Sequence, residues 1–269
     1  MTQHKISHKL AVQMYTLREH TKTSAGLAHS LKTISDIGYT AVQMSAVGAM
    51  AGDSPEVDAK TARQMLEDNG LSCIATHRQW PQLAEETEKE IEFHHQLGCD
   101  FVAIGGLPPS YERTHDGFQQ YAKDAAPILE KLSAAGLRFG YHNHSWEFFR
   151  PNPGEKTLLD TLLSSAPPKM LFELDLYWVE FAGVNCVRII EQCLEKMPII
   201  HLKDKEVIEP TKNETRMAPI GEGNMDWDHI IPACEKAGVE WYAIEQDQCY
   251  RDSFDCLKSS YQFLSSMEL

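Results

Sequence analysis

Along this chain, stretches of helical periodicity end near a glycine and give way almost at once to a short, near-continuous apolar run. The pattern recurs as Ile37-Gly38-Tyr39-Thr40-Ala41-Val42, Asn69-Gly70-Leu71-Ser72-Cys73-Ile74, Leu97-Gly98-Cys99-Asp100-Phe101-Val102, Ala135-Gly136-Leu137-Arg138-Phe139-Gly140 and Ala237-Gly238-Val239-Glu240-Trp241-Tyr242. A glycine just past the last turn supplies a left-handed helix stop, and an unbroken apolar strand fits a parallel sheet covered by helices on its outer face. The periodicity predicts strands over about 10–16, 40–45, 71–77, 100–105, 137–143, 170–175, 198–203 and 241–246. They alternate with helical patterns such as 59–69, 85–97, 119–135, 186–196 and 227–237. Eight βα units in roughly 250 residues predict a (β/α)8 barrel, here as a single domain over 1–269. A doubly wound open sheet would need fewer strands. Its usual phosphate signals are also missing, since Gly105-Gly106 belongs to neither GxGxxG nor GxxxxGK[ST].

Four of the predicted strand ends carry ionisable side chains two residues apart: His142/His144, Glu173/Asp175, His201/Lys203 and Glu245/Asp247. Residues i and i+2 of a strand share a face, so each pair points the same way. The C-terminal ends of the strands are where such a barrel places its active site. Burying these groups without partners would be very costly, and acids crowded with imidazoles at one barrel mouth suit a hard cation. Asp175, His201 and Glu245 come from three consecutive strands and offer two carboxylates and one imidazole. Mixed O/N ligation without thiolate suits Mn2+, Mg2+, Co2+ or Zn2+. The expectation is a metalloenzyme with one divalent ion, Mn2+ first among these.

Composition narrows the field. At 269 residues and 42% hydrophobic the chain can bury a substantial core. No run approaches the roughly 18 apolar residues that span a bilayer, and Met1 to Lys9 contain no apolar leader region, which predicts a cytoplasmic protein with no membrane partner. Seven cysteines, an odd number with no CxxC spacing, predict neither a disulfide framework nor a thiolate metal site. A formal charge of −14 opposes phosphate backbones, so no nucleic-acid partner is expected.

The segments His142-Asn143-His144-Ser145-Trp146-Glu147-Phe148, Glu173-Leu174-Asp175-Leu176-Tyr177-Trp178, His201-Leu202-Lys203-Asp204, Gly221-Glu222-Gly223-Asn224-Met225-Asp226-Trp227 and Glu245-Gln246-Asp247 together resemble the xylose-isomerase-like TIM-barrel superfamily of sugar isomerases and epimerases. The opening Leu10-Ala11-Val12-Gln13-Met14-Tyr15-Thr16-Leu17-Arg18 is similar too. The resemblance implies one divalent metal held by residues from strands five to eight, with Asp175, His201 and Glu245 matching the last three. At strand five the family's carboxylate is replaced: either His142 is the ligand or Glu147 reaches back from the following loop. Relatives use the strand-eight acid, here Glu245, as an acid/base as well. A metal-bound His142 could not serve as its partner, so His144 becomes the candidate proton shuttle, with second-layer orientation of His142 as the alternative and Glu245 or Glu147 next in line as the catalytic base. Lys203 is placed beside His201, either hydrogen-bonding a substrate oxygen or neutralising Asp175 or Glu173. Glu173 is expected inside the barrel, salt-linked to Lys203 or Arg138. Trp178, Trp146, Phe148 and Trp80 are either sugar-stacking platforms or ordinary packing at the barrel mouth.

The function expected from the resemblance is metal-dependent isomerisation or epimerisation of a sugar, keto-sugar or polyol through an enediolate. The alternative is an inosose dehydratase-like lyase that shares the first step. An apurinic endonuclease-like enzyme and a non-catalytic sugar-binding protein stand further off. The acidic Gly221-Glu222-Gly223 turn favours an unphosphorylated substrate, and the oligomeric state is left open, a homo-oligomer included.

Overall fold

Eight parallel strands close into a barrel: β1 (Leu10–Gln13), β2 (Ala41–Met44), β3 (Ser72–His77), β4 (Phe101–Ile104), β5 (Arg138–His142), β6 (Met170–Asp175), β7 (Ile199–Leu202) and, after a two-stranded antiparallel hairpin of β8 (Asp204–Val207) and β9 (Thr215–Ala218), β10 (Trp241–Ile244). The computed structural model describes residues 6–212 and 214–267. Residues 1–5, part of the N-terminal stretch read above, lie outside the described residues. The ring runs β1-β10-β7-β6-β5-β4-β3-β2, each strand beside its sequence neighbour once the hairpin is set aside. All eight predicted barrel strands are present.

Alternation along the strands separates two apolar sets. Outward residues such as Val12, Val42, Val102, Phe139, Phe172, Leu174, Ile200, Leu202, Tyr242 and Ile244 join the large core beneath the helices. Inward residues form a small floor of Ala11, Ala41, Ala75, Phe101, Ala103, Ile199 and Ala243. One large ring fills that floor among small neighbours. A Cβ on Gly140 would stand 2.6 Å from Phe101 Cζ, so strand β5 can pass the ring only as glycine there. Because Phe101 and the alanines fill the lower barrel, the next inward layer is raised to the C-terminal mouth. That layer is polar: Gln13, Gln43, His142, Glu173, Asp175, His201 and Glu245 are all buried.

The glycine stops behave as the pattern requires, with Gly38 at φ 119° and Gly98 at φ 75° closing helices Ser24–Ile37 and Thr87–Leu97. Two expectations change in detail. The helix expected over 85–97 is two, Trp80–Glu85 and Thr87–Leu97, joined at Glu86, whose φ of −125° is non-helical. Strand β1 stops at Gln13 because that side chain turns back to accept the Tyr15 N–H at 2.7 Å, starting a 3-10 turn. No helix among the described residues is long and apolar enough to cross a membrane.

Candidate active site

Strand register brings the ionisable pairs level: His142 lies beside Glu173, Asp175 beside His201, and His201 beside Ala243 two residues before Glu245. Two overlapping groups result, sharing His201. In the first, Asp175, His201 and Glu245 each offer a ligand atom within 4.8 Å of the others. In the second, His77, His142 and His201 surround Glu173 in the same way.

The first group is threaded by Lys203, whose Nζ lies 2.9 Å from Asp175 Oδ2, Glu245 Oε2 and Asp247 Oδ1 alike. Burial opposes the ammonium, but three carboxylates outweigh it and hold Lys203 protonated, well above its ordinary range. Burial likewise opposes the Glu245 carboxylate, yet Lys203 and His201 override it and keep the group well below the usual value. Asp175 is fully buried with a single ammonium beside it, and there burial wins, pushing it up to about 6. Its Oδ1 caps helix Leu176–Phe181 by accepting the N–H groups of Tyr177 at 3.0 Å and Trp178 at 3.3 Å, while Oδ2 is met by the Lys203 ammonium.

In the second group Glu173 Oε2 meets His77 Nε2, His201 Nε2 at 3.2 Å and His142 Nδ1 at 3.5 Å. Gln43 completes it, donating to Glu173 Oε1 at 2.8 Å and facing His201 Nε2 through its own oxygen at 2.7 Å. Burial pushes Glu173 up, but the imidazoles of His201 and His77 hold it well below the carboxylate range. Burial would lower His201, and Glu173 with Glu245 raises it instead to about 10. Burial and the neighbouring His201 leave His142 neutral, well below its ordinary value.

The salt link expected from Glu173 to Lys203 or Arg138 is therefore replaced by imidazoles and an amide. The reason is position. Arg138 pairs with Phe101 at the entry end of the strands and binds Glu240 and Asp100 there, whereas Lys203 reaches one layer above Glu173.

His144 is half-buried on the wall of a cavity of about 390 Å³, shared with Gln13, Gly105, His77, His142, Lys203 and Glu245. Its Nδ1 is buried without a partner, and burial together with Lys203 lowers the imidazole to about 4. It stands as a free base at neutral pH. Gly106 beside it holds φ 128°, a conformation that favours glycine. Asn143 turns away and clamps strand β6, accepting the Asp175 N–H at 3.0 Å.

Glu147 lies apart from both groups. Its oxygens accept the Tyr141 hydroxyl at 3.0 Å and the His144 N–H at 2.8 Å, and Tyr141 points outward into the helical layer. Of the two options at strand five, His142 is the one brought beside the ligand set, with Nε2 3.8 Å from Asp175 Oδ2. The aromatic residues divide. Trp178 flanks both Lys203 and His144, whereas Trp80 is buried against Tyr121 and Phe139 as packing.

His77, Gln43 and Glu173 are the members whose roles escaped the sequence reading. A signal existed for one of them, because Ala-Val-Gln-Met occurs twice, at 11–14 and 41–44, each time with its glutamine at a strand end.

The residues fit a divalent cation. Asp175, His201 and Glu245 are a hard O/N donor set, and beside it His142 Nδ1 is a buried polar atom lacking a hydrogen-bond partner.

The fold agrees with the wider comparisons. The family model for the xylose isomerase-like TIM barrel matches residues 31–260, so the chain belongs to that family. A sugar phosphate isomerase/epimerase from Parabacteroides distasonis superposes with TM-score 0.80 at 22% identity, over 96% of this chain and 94% of that one. An L-ribulose 3-epimerase gives TM-score 0.70 at 17% identity over 95% and 92% of the two chains. A D-allulose 3-epimerase from Methylomonas sp. gives 0.68 at 11% identity over 98% and 99%. No protein of curated function matches the chain.

Proposed function

We propose that the protein is a divalent-metal-dependent isomerase or epimerase of a sugar, keto-sugar or related polyol, working through an enediolate. The observation that carries this reading is the convergence of Asp175, His201 and Glu245, the last of them lining a polar cavity whose wall also holds an imidazole with an unpartnered nitrogen, His144. Asp175, His201 and Glu245 would hold the ion, with His142 at its edge. A bound divalent ion, Mn2+ first with Mg2+, Co2+ or Zn2+ as alternatives, supplies electrophilic stabilisation of the charge that develops on substrate oxygen when an α-proton leaves. His144 takes that proton at a nitrogen free of other bonds. Lys203, kept protonated by three carboxylates, donates to a substrate oxygen from the cavity wall. Glu245 holds Lys203 and His201 in place, and His77, anchored on Glu173 across the cavity, is positioned to return a proton.

The test is metal analysis of purified protein followed by deuterium uptake from heavy water, screened over ketoses, inososes and keto-glycosides before and after chelation and reloading. Metal-dependent uptake at one carbon is expected. Product lighter by one water marks β-elimination, the lyase chemistry that the same proton abstraction opens. Protein that retains no divalent metal and exchanges no substrate proton when loaded overturns the reading.

A further inference from the structure

The polar cavity does not end at the cluster. Ala46, His77, Arg78 and Gln79 form one of its walls, and the same four residues line a second cavity of about 360 Å³. The second is different in chemistry, with Met44, Val47, Met50 and Phe93 among its lining residues. At the neck, Ala46 is held at φ 53°, a left-handed conformation that a non-glycine residue adopts only when its surroundings impose it.

Charge at the neck is already spent. Arg78 makes a two-point pair with Glu90, at 2.7 and 2.6 Å, and its guanidinium covers the Phe93 ring at 4.5 Å. Lys203, the other cation on these walls, faces three carboxylates. Arg78 is the one Lys or Arg side chain lining the second cavity, so an anionic group there would pay its desolvation without a partner. Each cavity alone sits near the lower end of the roughly 300–1,000 Å³ typical of small-molecule sites.

We infer that the substrate is an uncharged ring-keto sugar carrying an apolar substituent, with the sugar ring in the polar cavity and the substituent in the Met44–Val47–Met50–Phe93 cavity. The inference rests on the proposed sugar chemistry and adds the substrate class. A substituent linked through the anomeric oxygen removes the anomeric carbonyl, so the carbonyl that acidifies the α-proton sits elsewhere on the ring. Thioether side chains, flexible and polarisable, suit a variable apolar group.

The experiment compares a ring-keto hexose with its own phenyl glycoside in metal-loaded protein, reading deuterium uptake. In parallel, calorimetry compares glucose with phenyl glucoside, which cannot react. The phenyl group is expected to raise kcat/KM for exchange, and to tighten binding of the unreactive pair, by at least about tenfold, the scale of burying such a ring. Met50→Asp should reduce that ratio toward unity by weakening the phenyl compounds more than the free sugars. Equal exchange and equal binding with and without the phenyl group overturn the inference and leave the sugar chemistry standing. Tighter binding of phenyl glucoside with no exchange of any sugar upholds the apolar cavity and sinks the proposed reaction. Preference for a phosphorylated sugar over both probes also overturns it.

Discussion

Asp175, the last residue of β6, and Asp204, just past the end of β7 where β8 begins, are both completely buried and are used in opposite ways. Asp204 is saturated by neutral donors. Its Oδ1 accepts the N–H groups of Lys205 at 2.7 Å and Met225 at 3.1 Å, and its Oδ2 those of Gly221, Gly223 and the Trp227 indole at 2.9, 3.1 and 2.7 Å. Asp175 spends one oxygen on a helix cap and turns the other to the Lys203 ammonium. A buried carboxylate surrounded by fixed N–H groups is a structural anchor, since every lone pair is answered. One left half-answered beside a cation retains capacity to bind something else. The difference is visible only in the donors each receives, because both residues end strand-terminal motifs of similar appearance, Phe-Glu-Leu-Asp and His-Leu-Lys-Asp.

The comparison is broken most decisively by activity. Asp175→Asn keeps an oxygen for the Tyr177 and Trp178 N–H groups, so the fold should survive with near-normal urea midpoint, while metal content and turnover fall below detection; His201→Ala should do the same. Stoichiometric metal with full turnover in either variant would remove the residue it replaces from the reactive class. Asp204→Ala is expected to show the reverse, metal binding retained at low denaturant but stability reduced by about 3 kcal/mol or more, because several buried N–H donors lose their acceptor together. Equilibrium urea unfolding checks it, and a shift below about 1 kcal/mol would deny Asp204 its anchoring role.

The periodicity carried the barrel because every βα unit is a local pattern, and the ionisable pairs carried Asp175, His201 and Glu245 because strand ends are where i, i+2 spacing acquires a meaning. What the sequence hid is pairing at a distance. Gly221, Gly223 and Trp227 lie 17 to 23 residues from the carboxylate they serve, and no spacing rule links them. Glu173 looked like a partner for a cation because acids commonly are. Its actual neighbours, His77 and Gln43, come from strands 96 and 130 residues away that closure of the barrel brings round. The hairpin of β8 and β9 was invisible for another reason: its strands are four residues each and half-exposed, with too little apolar alternation to register.

Proton transfer sharpens the same contrast between answered and unanswered groups. His144 has an unpaired buried nitrogen on the cavity wall, so His144→Gln should retain metal while cutting turnover by roughly 100-fold or more, the usual loss for a general base. Single-turnover exchange of the substrate proton measures it, and near-normal exchange would move the base to another residue.

Glu147, three residues further on, is answered on both oxygens, and its prediction is accordingly one of stability and not of rate. Burial lifts its carboxyl from an ordinary 4.5 to about 7, although the His144 and Tyr141 donors pull the other way. Between those two values the native state binds more protons than the unfolded chain, so stability falls as pH rises. The contribution is fully present below about pH 4.5 and is lost as pH climbs through about 7. Glu147→Gln cannot ionise, and its amide can still accept the His144 N–H while donating to the Tyr141 oxygen. Urea midpoints of the variant should therefore lose this pH-dependent decline, and turnover should drop far less than in His144→Gln. A rate loss as large as that of His144→Gln, with the pH dependence of stability unchanged, would place Glu147 in the reaction and make the anchored carboxylate the reactive one.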